Sequence, residues 1–100
     1  MLFRSAVTLR KPSIEMVNQI VQLIKRDDLY YNIRIMATEV LSTLLPVIME
    51  NKELNKNLVR VFINEANHEV SALLSSPVPP IFHDVLDITY EQIQKFAATV

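Results

Sequence analysis

The sequence predicts an all-α domain of about four main helices. Three observations lead there. Apolar residues recur at offsets of three and four in four separate stretches, the spacing of one helix face. Sustained alternation, the mark of a half-buried strand, is missing beyond the first dozen residues. The 100-residue chain also contains no glycine, so the usual glycine-based hairpin turns are not available to it.

The central element is the stretch 32–49, NIRIMATEVLSTLLPVIM. As a helix it places Ile33, Met36, Ala37, Val40, Leu41, Leu44 and Ile48 on one broad face. Ile35, Leu45 and Val47 carry apolar character to other sides, which predicts neighbours on more than one flank. Asn32 is the expected cap. Pro46 cannot donate the helical hydrogen bond, so a kink or an end is expected near Leu45.

Before it, Ser13 is placed to cap a helix over 14–26 whose stripe is Ile14, Val17, Val21 and Ile24, widened by Ile20 and Leu23. Asp27-Asp28 breaks that helix. A third helix fits 54–74, where Leu54, Leu58, Phe62, Ala66, Val70 and Leu73 recur. The run 75–80, SSPVPP, is the clearest linker. Residues 81–86 follow as a short helical turn, with Pro80 near its first position. Thr89 and Gln92 have the spacing of a capping box and are expected to open a last helix over 89–100. Leu41 and Phe62 are the expected central anchors of their stripes.

Residues 1–13 read as an arm. They hold Arg4, Arg10 and Lys11 and no acid, a bias shared by organellar transit segments, while Leu2, Phe3, Val7 and Leu9 also suit an element docked on the body. Residues 14–100 read as a single helical domain, or as a piece of a repeat protein. A cytoplasmic or nuclear location is expected, or a mitochondrial one if 1–13 is a targeting segment.

Composition narrows the function classes. Half of the residues are apolar, and ten basic residues against eleven acidic ones leave a formal charge of −1, so no global field draws the chain to a polyanion or a membrane. The absence of cysteine removes disulfides and thiolate metal sites. The absence of glycine removes glycine-rich phosphate loops. No apolar run approaches the length that spans a bilayer.

The stretch 20–28, IVQLIKRDD, leads into 32–41, NIRIMATEVL, and later 70–77, VSALLSSP, leads to 91–100, EQIQKFAATV. This resembles the armadillo and HEAT repeat pattern, an apolar helix with a short polar turn followed by a helix carrying a small residue in its close-packed face. Ala37 and Ala97 match that small position. The resemblance implies a small right-handed helical array or orthogonal bundle, and a scaffold that presents a protein- or peptide-binding surface. By residue type alone, Asn57, Asn64 and Asn67 are candidates for the asparagines with which some members clamp peptides.

Chemistry is sparse. Glu65 and His68 form a Glu-x-x-His pair, but the second pair and the further carboxylates of a di-metal bundle site are lacking. His83 with Asp84 or Asp87, and serines 71, 75 and 76 near the histidines, supply no triad by sequence. No catalytic, cofactor-binding or metal residue is therefore assigned, and a non-enzymatic protein-interaction or scaffold module is expected. Its partner is another protein or a second copy, met through Ile93, Phe96 and Val100, whose stripe runs to the last residue. The alternative is a small nucleic-acid-associated protein whose basic patch is Lys25, Arg26 and Arg34, beside Tyr30 and Tyr31, with Asp27 and Asp28 weakening its field.

Overall fold

Ser13 caps a helix as anticipated: its Oγ accepts the Met16 N–H at 3.2 Å at the start of helix α1, Ile14–Lys25. The computed structural model describes residues 13–51 and 54–99; the arm over 1–12 and Val100 lie outside the described residues. Glu15 in the first turn of α1 and Lys25 in the last both complement the helix dipole. Val17, Val21 and Ile24 are buried. Beyond α1, the Arg26 guanidinium donates from Nε and Nη2 to the Asp28 carboxylate at 3.0 and 2.7 Å, closing the turn.

Helix α2, Tyr31–Glu50, is twenty residues long and differs from expectation at both ends. Tyr30 is its N-cap residue and makes no side-chain cap bond, so Asn32 lies inside the first turn. At the other end the helix runs through Pro46 instead of stopping near Leu45. Proline leaves the Ser42 carbonyl without its donor four residues on. That carbonyl accepts instead from Gln92 Nε2 at 2.9 Å, so the helix continues with the vacancy filled.

Helix α3, Lys56–Leu74, is capped by the Asn55 side chain, which accepts from the N–H groups of Asn57 and Leu58 at 2.8 and 3.4 Å. Val59, Phe62, Ile63, Ala66 and Val70 are buried. At its far end the Ser75 and Ser76 hydroxyls donate back to the carbonyls of Ser71 and Ala72. These serines serve the helix end.

Helix α4, Pro80–Ala97, corrects the expected last helix over 89–100. The short turn at 81–86 and that helix are one continuous element, with Pro80 in its first turn. Its stripe is Phe82, Leu86, Thr89 and Ile93, spaced four, three and four. Thr89 is no cap: it is fully buried, and its hydroxyl donates to the Val85 carbonyl at 2.9 Å inside the helix. Gln92 turns away to Ser42. The capping-box spacing occurs here within a helix.

Among the described residues four helices make a compact all-α domain, with Cα extents of 38 × 36 × 18 Å. Packing is most extensive between α3 and α4, α1 and α2, and α2 and α4, and α1 also packs on α3. One core runs through all four. Leu41, Phe62, Phe82, Leu86 and Ile93 are each at most 1 % exposed within it.

A candidate docking groove between the first two helices

Helix α2 has more apolar surface than the core covers. Its buried ladder is Arg34, Thr38, Leu41, Leu45 and Ile48, with Ala37 and Leu44 beside it. Part of the expected stripe therefore faces outward: Ile33 and Val40 are exposed, and Met36 is 66 % exposed. The polar residues in the ladder explain why α2 is rolled this way. Thr38 is satisfied by donating its hydroxyl to the Arg34 carbonyl at 2.8 Å. Arg34 is only 4 % exposed, and its Nε donates at 2.8 Å to the Ile24 carbonyl in the last turn of α1. Its guanidinium carbon lies 5.2 Å from the centre of the Phe82 ring and 5.5 Å from that of Tyr31. Those two rings are themselves 5.9 Å apart. The end of α1 and the starts of α2 and α4 thus meet on one cation, with helix dipole and ring faces replacing a carboxylate.

With Arg34 turned inward, the outward side of α2 and the neighbouring side of α1 bound a groove of about 750 Å³. Met16, Ile20 and Leu23 of α1 face Ile33, Met36 and Val40 of α2 across it. Among the described residues its lining includes one charged side chain, Glu39, and no cation. Scattered apolar residues are ordinary on a protein surface, but a contiguous apolar groove marks a place where another apolar element fits.

The expected contact residues fall elsewhere. Ile93 is fully buried, and Phe96 is half-buried against the core. Val100 lies outside the described residues. The stripe of α4 thus contributes to closing the domain's own core. Of the three basic residues, Lys25 is exposed, Arg26 is exposed and paired with Asp28, and Arg34 is inside. The hydrogen bond from Arg26 holds the Asp28 carboxyl below its ordinary range, with the neighbouring positive charge adding to it, and the same contact raises Arg26.

The remaining polar candidates are not gathered into a site. Glu65, His68, His83, Asp84 and Asp87 are exposed. Among the described residues no group of three or more His, Asp or Glu is placed to hold a metal. Asn67 accepts from Gln94 of α4 through its side chain, while Asn57 and Asn64 are exposed. A second cavity, about 480 Å³, lies where α2 turns toward α3, beside Met49, Leu54, Lys56 and Arg60. By length and composition alone α2 could cross a membrane, a length that the sequence reading did not credit to any stretch. Here it is the central core helix, holding a buried arginine and a side-chain bond to α4.

Comparison with protein-family models, with curated proteins and with solved structures returned no match.

Proposed function

We propose that this chain is a protein-interaction module that receives an apolar, cation-bearing helical segment of a partner protein in the groove between α1 and α2. One observation carries the reading: Met36 stands 66 % exposed in an apolar groove that also contains Leu23, Ile33 and Val40. An amphipathic helix laid in such a groove buries apolar area on both sides, at about 25 cal/mol per Å² removed from water. Glu39, the charged residue of the lining, favours a partner segment that brings a lysine or arginine. The reading assigns no catalytic role to any residue.

The finer form of the proposal is an armadillo- or HEAT-like scaffold. In its support, α1–α2 and α3–α4 are sequential helix pairs, with α1 packed on α3 and α2 on α4, as when one helical pair stacks on the next. The nucleic-acid alternative has less support, because Arg34 is spent on the Ile24 carbonyl and Arg26 on Asp28.

Affinity capture from the native host at physiological salt, with nuclease treatment in parallel, tests the proposal once the captured protein is identified and rebound in purified form. The expected result is nuclease-resistant binding that Met36→Glu abolishes and Ile88→Glu, an exposed site on α4, leaves intact. Purely nuclease-sensitive capture, or a purified partner indifferent to Met36→Glu, would overturn it.

A further inference from the structure

Met36 combines a reactive thioether with a place in the groove between α1 and α2. We infer that it is a peroxide-sensitive modification site: hydrogen peroxide converts its thioether to the sulfoxide and makes that side of the groove polar, while the fold is kept. The oxidation follows from accessibility. Its consequence, release of a partner, rests on the docking reading of the groove and adds regulation to it.

Accessibility separates the methionines. Met16 and Met49 are half-buried against the core, whereas Met36 is 66 % exposed. Met1 lies outside the described residues. The chain has no cysteine, so no thiolate of its own competes for a peroxide.

The step needs no further reactant. A sulfur lone pair attacks one peroxide oxygen, and the O–O bond breaks as the S–O bond forms. The proton of the transferred oxygen leaves with the departing hydroxide as water. Sulfur is oxidised by two electrons and the peroxide is reduced by two.

The product is a polar, chiral side chain in place of a flexible apolar one. Met36 stands outside the buried ladder of α2, so water can solvate the new oxygen and the core is untouched. A docked apolar segment would strip that water away, because Leu23, Ile33 and Val40 share the groove. Sulfoxide formation is reversed by methionine sulfoxide reductases, which makes the change a switch.

Peptide mass mapping of the folded chain during a hydrogen peroxide time course tests the site. Met36 should gain one oxygen at least about fivefold faster than Met16 or Met49, since susceptibility follows exposure. In the urea-unfolded chain the three rates should converge, and the folded Met36 sulfoxide should keep the parent's urea midpoint. Equal rates in the folded chain, selectivity that survives unfolding, or a lowered midpoint would overturn the inference.

Binding of the purified partner is read before peroxide, after it, and after reductase. Peroxide should weaken it at least about tenfold and the reductase should restore it. Met36→Leu, whatever its own affinity, should bind equally before and after peroxide. Unchanged binding by the Met36 sulfoxide, or the same peroxide loss in Met36→Leu, would overturn the switch. The two readings fail separately. Selective Met36 oxidation without any Met36-dependent partner sinks the docking proposal alone, and Met36-dependent binding with unselective oxidation sinks this inference alone.

Discussion

Gln92 of α4 and Ser42 of α2 clasp each other twice. Ser42 Oγ donates to Gln92 Oε1 at 2.7 Å, and Gln92 Nε2 donates to the Ser42 carbonyl at 2.9 Å. That carbonyl is the one that Pro46 leaves without a helical donor. The proline and the glutamine, 46 positions apart in numbering, are therefore one device that lets α2 run on and fixes α4 against it.

Gln92→Leu should cost about 1–3 kcal/mol, because a part-buried carbonyl loses its donor. In a Pro46→Ala background the new N–H restores the helical bond to Ser42, and the same change at Gln92 should cost less. Urea melts of the parent, both single variants and the double variant check this. A coupling of about 0.5–3 kcal/mol is expected. Simple additivity would contradict it.

Arg34 predicts a loss of stability when removed. Arg34→Ala strips the Ile24 carbonyl of a charged donor and two rings of their cation, and should cost roughly 2–4 kcal/mol. Arg34→Lys keeps the charge but not the flat guanidinium beside the Tyr31 and Phe82 rings, so it should recover only part of that. Full recovery by lysine in a thermal or urea melt would show that the guanidinium's shape contributes nothing.

The sequence made much of this fold legible, and where it misled, the cause was local. Ser13, Val17, Val21 and Ile24 follow the ordinary rules of cap and stripe, and α1 was read almost to the residue. On α2 the apolar set was wider than one face, so choosing the stripe by hydrophobicity turned the helix too far toward Met36. The signal was present: Arg34, Thr38, Leu41, Leu45 and Ile48 are spaced four, three, four and three. Reading it required accepting a buried arginine, against the usual rule that charges face water. Thr89 and Gln92 copied a cap motif within a helix, which hid the stripe from Phe82 to Ile93. The groove left no motif because it is a remainder, the apolar surface of α2 that the core does not use.

Leu41 and Phe62, at 0 and 1 % exposure, are fully enclosed. Leu41→Ala should cost about 2–5 kcal/mol and Phe62→Ala about 3–5 kcal/mol, since the dense surroundings relax only in part. Denaturant midpoints check both. A parent-like melt for either would place its stripe on the wrong face.

The Arg26–Asp28 pair has a pH signature. Asp28 has a lower pKa folded than unfolded, so its contribution is present at neutral pH and lost as the pH falls through the depressed folded value. A carboxyl carbon titration should move upward for Asp28 in Arg26→Ala, whose hydrogen bond is the largest cause of the depression. An unchanged midpoint would contradict the contact.

The central proposal is a division of labour: Phe96 packs against the core, while exposed Met36 lies in the groove proposed to receive a partner. Measuring urea stability and partner binding together for Met36→Glu and Phe96→Asp tests it most directly. Met36→Glu should abolish binding while keeping stability within about 0.5 kcal/mol of the parent. Phe96→Asp should lower stability by at least about 1 kcal/mol, by placing a charge against the core. Binding lost in a fully stable Phe96→Asp variant, with Met36→Glu binding as the parent does, would contradict the account.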